Sequence, residues 1–148
     1  MIRITPDPFD PGLEANRFQA AHAGAGAMVG FTGIVRSSPE APITALVLEC
    51  YAELAENEIG IMRENAIARF GLINAAVIHR HGRLLPGETI MSVMTLAPRR
   101  HAAFEGAQYL MDYLKTGAPF WKREETSAGL RWVEARAEDD EARARWME

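Results

Sequence analysis

Two long segments with the residue spacing of amphipathic helices, each followed by paired strand-like segments, most constrain the fold. In residues 52–70, apolar side chains recur at helical spacing, and Gly71 follows as a helix stop. A second such helix is predicted from residue 100 or 101 to residue 116, ahead of Gly117 and Pro119. Because each long helix returns to paired strands, the order favours an α+β fold on a mixed or mainly antiparallel sheet.

The remaining elements are shorter. Strands are predicted over residues 1–4, 28–36, 44–51, 73–81 and 89–96, and a short helix over residues 13–22. Residues 37–42 form a predicted loop and residues 82–87 a tight connection. The last two strands, residues 120–126 and 130–135, are expected to form a hairpin.

The chain has 148 residues, enough for one domain with a core of its own. We predict a single domain over residues 1–136 and a charged C-terminal tail over residues 137–148, as a helical turn or a frayed end. Cys50 is the one cysteine, which excludes an intrachain disulfide and a four-cysteine zinc site. It follows Glu49 on an apolar strand and is predicted to be buried and inert.

The net charge of −4 argues against an overall basic nucleic-acid-binding protein, although it allows a local basic patch. No apolar run approaches the roughly 20 residues that span a bilayer, and no targeting segment is visible, so we expect a cytoplasmic protein without a membrane partner. Gly24 and Gly26 do not continue as a dinucleotide-binding motif, because Val29 stands where a small residue is needed. These glycines are therefore expected at the start of a strand or in a bulge.

No cofactor is predicted, and neither is a metal site. His79 and His81, two residues apart on a predicted strand, share a face and could form a metal pair, but they have no evident third ligand.

Basic residues concentrate around the second long helix. Residues 99–123 contain five basic and two acidic side chains in a chain that is acidic overall. Lys115 at the helix end and Lys122 beyond a Gly-x-Pro turn can lie side by side, where each ammonium disfavours the other's charge. Such a lysine could exchange a proton near neutral pH, and neighbouring arginines could hold an anion. Plain surface solvation of these charges is the alternative.

Arg99 and Arg100 lie at the other end of this helix. A helix of this length spans roughly 25 Å, so its two ends cannot meet within one helix. A single pocket containing Arg99, Arg100 and Lys115 would need a neighbouring strand or a second subunit.

Five blocks of sequence resemble the catalytic (large) subunit of molybdopterin synthase. The most specific is residues 112–124, which contains both Lys115 and Lys122. The others are residues 31–36, residues 79–84 with 86–88, Arg100 with residues 103–105, and residues 131–136. They run in the family's order and cover most of the chain.

The resemblance implies an α/β hammerhead-type core with an additional small β subdomain. It also implies a sulfurtransferase that converts cyclic pyranopterin monophosphate into molybdopterin by adding the two dithiolene sulfurs. The sulfur would arrive as a thiocarboxylate on the C-terminal Gly-Gly end of a small ubiquitin-like sulfur-carrier subunit. The assembly implied is a heterotetramer around a homodimer of large subunits.

The resemblance also assigns site residues. It makes Lys115 and Lys122 the essential lysines, Arg36 an anion-binding residue and Arg100 a residue of the substrate pocket. Further residues are implied to line the same site: Ile34, Val35, Arg123 and Glu124. Arg136 matches an arginine that reaches a neighbouring protomer's site.

One position departs from the family pattern. Where the family often has His-Arg, this chain has Arg99-Arg100, with His101 following. Arginine can bind an anion but does not titrate near neutral pH, so we predict anion binding for Arg99. Two other functions remain open from the sequence: a non-catalytic module that binds phosphate, and an inactive relative that still binds the carrier.

Overall fold

The structure, a computed structural model, describes residues 1–20, 22–133 and 136–147. The described chain forms eight strands and four helices around two sheets. The strands are β1 (Ile2–Thr5), β2 (Ala27–Ile34), β3 (Ala45–Glu49), β4 (Asn74–Arg80), β5 (Gly82–Leu84), β6 (Thr89–Ala97), β7 (Trp121–Thr126) and β8 (Gly129–Val133). The helices are α1 (Pro11–Gln19), α2 (Ala52–Phe70), α3 (Arg100–Thr116) and α4 (Ala137–Ala144), the last followed by a 3-10 turn, Arg145–Met147.

The first sheet has the order β1-β4-β6-β2 and is mixed, because β1 runs parallel to β4 while the other pairs are antiparallel. The long helices α2 and α3 cover one face of it, where Ala75 and Val77 of β4 enter the main hydrophobic core. The short helix α1 covers the opposite face, where Phe18 packs near Ile78. The predicted α+β class and the two long helices are confirmed.

Local sequence explains the helix ends. The carboxylate of Asp10 accepts a hydrogen bond from the backbone N–H of Leu13, and Pro11 occupies the first turn, so α1 begins two residues earlier than predicted. At the end of α2, Gly71 has a left-handed conformation with φ of 66°, which glycine adopts without strain.

The second sheet is antiparallel with the order β5-β3-β7-β8. The prediction of a tight connection over residues 82–87 is partly wrong, because its first half is strand β5. Leu84 is fully buried and lies opposite Leu46 of β3, so this segment pairs before it turns. The turn itself follows, with Gly87 at a φ of 89°.

The predicted hairpin near the C-terminus is present as β7 and β8, with Gly129 at a φ of 112° in the turn. Of the two forms left open for the tail, the helical one is observed as α4. Trp146, in the turn after α4, packs against the main core.

Positions 21, 134, 135 and 148, which fall in predicted elements, lie outside the described residues. The division of the chain at residue 136 stays a prediction. None of the helices in the described ranges has the length and apolar character needed to cross a membrane.

Candidate functional site

A cavity of about 830 Å³ lies between the second sheet, the end of β2 and the C-terminal end of α3. Apolar side chains from β3, β6 and α3 form part of its wall, including Leu48, Met91 and Met111. Its charged lining, within the described chain, consists of five cationic and two acidic side chains. They are Arg36, Lys115, Lys122, Arg131, Arg136, Glu124 and Asp139. The excess of positive charge favours an anionic ligand beside an apolar surface.

Arg36 reaches the cavity from the segment that follows β2. The preceding residue, Val35, is buried and is held by two backbone hydrogen bonds, one to the carbonyl of Glu88 and one from the N–H of Gly87. The side chain of Ile34 is exposed by comparison, and both residues line the cavity. This fixed backbone places the exposed Arg36 side chain at the cavity edge.

Lys115 lies in the last turn of α3, where a cation is favoured by the helix dipole. The chain then turns sharply. The N–H groups of Gly117 and Ala118 both donate to the carbonyl of Tyr113, and the N–H of Phe120 donates to the carbonyl of Ala118. This turn leads directly into β7, so Lys122 lines the same cavity as Lys115.

The environment of Lys122 disfavours its charged form. On β7 it lies opposite Leu48 of β3 and Val133 of β8, and its side chain is half-buried. Burial lowers the pKa of Lys122, and the charges of Lys115 and Arg136 lower it further. The carboxylates of Glu124 and Asp139 raise this pKa and oppose the shift without cancelling it. Lys122 therefore gives up its proton more readily than an ordinary lysine.

Glu124 follows on the same face of β7. Its carboxylate accepts a hydrogen bond from the guanidinium of Arg131 at 3.3 Å, across the β7–β8 pair. This contact holds both side chains in the cavity wall.

Three of the residues predicted for the site do not line the cavity. Arg123 points to the opposite face of the second sheet, where it pairs with Glu49 and lies 5.0 Å from the ring centroid of Trp132. Arg99 and Arg100 are exposed at the N-terminal end of α3, the far end from Lys115. The roles predicted for all ten residues stay predictions, but seven of them share one cavity within a single chain.

Sequence reasoning missed three ionisable residues of the lining: His79, Arg131 and Asp139. Asp139 comes from α4, inside the segment predicted to be a tail, so nothing in the sequence connected it to the lysines. Arg131 was visible in a family-like block but had no evident partner. His79 lay in another family-like block, but the only role considered for it was as half of a metal pair.

Neither a metal site nor a reactive thiol is evident in the described ranges. No group of three or more His, Cys, Asp or Glu side chains in residues 1–20, 22–133 and 136–147 is placed to hold a metal ion. His79 instead hydrogen-bonds a backbone carbonyl through one ring nitrogen. Burial raises the pKa of the Cys50 thiol, which makes it a poor nucleophile at neutral pH.

The chain is similar to known proteins over nearly its whole length. The family model described as MoaE protein matches residues 4–117. A "Molybdopterin synthase catalytic subunit" from Cereibacter sphaeroides is 48% identical over 145 residues, covering 98% of this chain and 99% of that protein. One from Pseudomonas aeruginosa, with the same name, is 43% identical and covers 99% of both chains.

Solved structures agree in fold. "Molybdopterin biosynthesis MoaE protein" from Burkholderia ambifaria has a TM-score of 0.84 at 42% identity and covers 100% of this chain and 98% of that one. A "Protein-protein complex of subunit 1 and 2 of Molybdopterin-converting factor" from Helicobacter pylori has a TM-score of 0.75 at 23% identity, covering 91% of each chain. The second likeness concerns the fold alone.

Proposed function

The chain belongs to the MoaE protein family, the catalytic subunits of molybdopterin synthase, and on that premise we propose that its basic cavity is the site of sulfur transfer. The substrate is cyclic pyranopterin monophosphate, and the product is the dithiolene of molybdopterin. The sulfur donor is the C-terminal thiocarboxylate of a small ubiquitin-like carrier subunit. The observation that carries the proposal is the convergence of Lys115, Lys122 and Arg36 on one cavity that also has an apolar wall.

The chemistry of both ligands fits this lining. The substrate carries a phosphate and the carrier ends in an acidic group, and guanidinium and ammonium groups bind such anions well. Arg36 binds the pterin phosphate at the cavity edge. Lys115 and Lys122 hold the thiocarboxylate, and Lys122, with its lowered pKa, handles protons as sulfur adds and water leaves.

The chain needs no nucleophilic cysteine for this reaction, because the partner supplies the sulfur. Cys50 is half-buried and has a raised pKa, which supports a donor from outside the chain. No step requires a bound cofactor.

The assembly we propose is a heterotetramer, with two carrier subunits on a central homodimer of this chain. Its support is the distance between Arg99–Arg100 and the cavity at the other end of α3. A second copy would bring Arg99 and Arg100 to the site, which one chain cannot do through α3 itself. The relatives at 48% and 43% identity are named as catalytic subunits, which supports the presence of a further subunit.

Two finer points belong to the same proposal. We propose that the fold corresponds to a hammerhead-type core, with the second sheet as the additional β subdomain, and that residues 1–136 act as the catalytic domain. We also propose that the protein works in the cytoplasm, where its single cysteine stays reduced.

The test is a single-turnover assay with thiocarboxylated carrier and cyclic pyranopterin monophosphate, in which the dithiolene is detected as its oxidised fluorescent derivative. Lys115→Ala and Lys122→Ala should each lower the rate by about 100-fold or more, as expected for loss of acid–base groups, while carrier binding persists. Lys122→Arg keeps a charge that does not titrate, so it should be as slow as Lys122→Ala. Cys50→Ala is the control and should keep the wild-type rate.

Two other results of this assay would indicate a different function. If wild-type protein binds the carrier but forms no product, the chain is an inactive relative. If it forms no product and does not bind the carrier, the synthase proposal is wrong; anion binding that weakens steeply with salt would then indicate a phosphate-binding module.

A further inference from the structure

His79 is a buried polar side chain that the proposed function leaves without a role. It lies near the end of β4, on the face that carries Ala75 and Val77 toward the long helices, and it is 7% exposed. It also contributes to the cavity lining beside the lysines. Buried polar atoms in folded proteins are as a rule hydrogen-bonded, and one nitrogen of this imidazole is.

One nitrogen of the ring is fixed by the backbone. Nδ1 lies 2.8 Å from the carbonyl oxygen of Arg80, and because a carbonyl can only accept, Nδ1 carries the proton. Burial lowers the pKa of His79 to about 4, and the nearby charges of Lys115 and His81 lower it too, while the hydrogen bond to Arg80 opposes the shift. At neutral pH the ring is therefore neutral and its Nε2 is unprotonated.

The flat face of this ring stacks on an aromatic side chain. His79 and Phe120 stack with their ring centroids 4.0 Å apart and an angle of 21° between their planes. Phe120 belongs to the turn between α3 and β7, two residues before Lys122. The stack therefore joins a central strand of the first sheet to the segment that connects the two lysines.

We infer that His79 is a positioning residue for the lysine pair: its neutral ring fixes Phe120, and through Phe120 it sets where Lys122 lies relative to Lys115. This inference rests on the proposed function, since it assigns a role within the same site. Stacking of neutral rings suits this task because it restricts the turn without adding a third positive charge beside two ammonium groups.

The backbone of the turn alone does not fix Phe120. Its N–H bonds only to the carbonyl of Ala118, two residues earlier, which closes a small local ring and makes no contact with the first sheet. Phe120 also packs against the main hydrophobic core, and the imidazole stack adds a flat contact with β4 that fixes the orientation of its ring. Without the stack, the ring could tilt, and the half-buried stem of Lys122, two residues later, would be restrained less firmly on the side of the first sheet.

A matched pair of variants isolates the stack. His79→Leu and His79→Phe both lose the hydrogen bond to Arg80, but only phenylalanine keeps a flat ring against Phe120. We expect single-turnover rates about 10- to 100-fold below wild type for His79→Leu and within a few-fold for His79→Phe, as small misplacements of catalytic groups have such effects. Carrier binding and the substrate concentration at half-maximal rate should stay near wild type.

A second variant covers the case in which His79→Leu does not fold. Phe120→Leu removes the same stack from the other side and should slow the reaction to a similar extent. The double variant should be no slower than either single one, since both remove one interaction. Phe18→Leu is the control, because Phe18 is a half-buried ring that packs on the opposite face of the first sheet, away from the cavity, and it should keep the wild-type rate.

A readout that does not depend on activity completes the test. The ammonium of Lys122 faces Lys115, Arg136, Glu124 and Asp139, and a loosened turn would let water reach it. In His79→Leu and Phe120→Leu, the pKa of Lys122, followed by NMR of the labelled side chain, should move up toward the ordinary lysine value; in His79→Phe it should not.

The outcomes separate the two proposals. Wild-type protein without product would contradict the proposed function, while an upward shift of the Lys122 pKa in the leucine variants would still support the positioning role. The positioning role would be overturned if wild-type protein is active and folded Phe120→Leu has the same rate and the same Lys122 pKa as wild type. A His79→Phe variant as slow as folded His79→Leu would overturn it too.

Discussion

The indole N–H of Trp146 donates a hydrogen bond to the buried carboxylate of Asp112, with 2.6 Å between Nε1 and Oδ2. The indole ring also packs edge-to-face against Phe70 and Tyr109, with both centroid distances at 5.6 Å. Arg145 reaches the same carboxylate oxygen at 3.0 Å. These contacts attach the end of the chain to α2 and α3, and they hold α4, which carries Asp139, beside the cavity.

Replacement of Trp146 should therefore destabilise the protein. Trp146→Phe keeps a ring but removes the N–H, and it should lower the free energy of unfolding by about 1–2 kcal/mol, the usual effect of removing a partner from a buried carboxylate. Trp146→Ala also loses the ring packing and should lower it by about 3 kcal/mol. Urea unfolding followed by circular dichroism measures both values.

Trp132 provides the control for Trp146. It is exposed on β8, and Trp132→Phe keeps a ring beneath the guanidinium of Arg123. Its effect should stay within about 0.5 kcal/mol. Equal losses for Trp146→Phe and Trp132→Phe would mean that the bond to Asp112 contributes nothing.

Much of the fold could be predicted from the sequence because it depends on local periodicity. The spacing of apolar residues and Gly71 marked α2, and Gly117 with Pro119 marked the end of α3. Strand β5 was not predicted, because it depends on a distant partner and not on local periodicity. Its three residues are too few to show an alternation, and only the distant partner Leu46 makes the segment a strand.

The site residues likewise differ in whether local sequence predicts their position. Lys115 and Lys122 are close in sequence and joined by a recognisable turn, so their proximity could be predicted. Asp139 and His79 reach the cavity only through tertiary packing, the first through the docking of α4 and the second through the pairing of β4 within the first sheet. No spacing rule connects such residues to the lysines.

Gly26 and Gly24 form a matched pair for a test of close packing. A methyl group at Gly26 would lie 2.2 Å from the backbone carbonyl oxygen of Pro98, whereas one at Gly24 would meet nothing within 4 Å. Gly26→Ala should therefore lower the free energy of unfolding by about 1–3 kcal/mol, as overpacking does. Gly24→Ala should leave it unchanged or slightly raised, and thermal unfolding of both proteins measures the difference.

Equal behaviour of the two alanine variants would contradict the close approach of residue 26 to Pro98. It would also remove the packing reason for a glycine just before β2, where the backbone N–H of Gly26 bonds to the carbonyl of Ala97.

The burial of His79 predicts that stability falls under mildly acidic conditions. Its pKa is about 4 in the folded protein against an ordinary value of 6.5. Between these values the unfolded chain binds more protons than the folded chain, so a fall in pH from 6.5 to 4 favours unfolding. The stability lost through this one group is about 3 kcal/mol at most.

His79→Phe isolates this effect, because it removes the titrating group and keeps a ring of similar shape. The free energy of unfolding, measured by urea titration from pH 7 to pH 4, should fall less steeply for His79→Phe than for wild type. Carboxylates titrate in the same range in both proteins, so the difference between the two curves belongs to His79. Parallel curves would mean that the imidazole is protonated as easily in the folded protein as in the unfolded one.

The proposed sharing of sites between two copies of the chain predicts recovery of activity in a mixed dimer. Arg100 and Lys115 lie at opposite ends of α3, so in the proposed homodimer each site takes Lys115 from one chain and Arg100 from the other. Arg100→Ala and Lys115→Ala should each abolish activity as pure dimers. In a dimer with one chain of each kind, both defects fall in one site, so the other site is intact and about half of the wild-type activity returns.

The mixed dimer can be co-expressed with two affinity tags and purified through both. A dimer of Lys115→Ala with Lys122→Ala is the control: these residues line the same cavity of one chain, so each site stays defective and no activity returns. An Arg100–Lys115 mixed dimer as inactive as this control would place Arg100 in its own chain's site or outside the site altogether. Recovery confined to the Arg100–Lys115 pair would instead mean that α3 of each chain serves two sites, with its lysine end in one and its arginine end in the other.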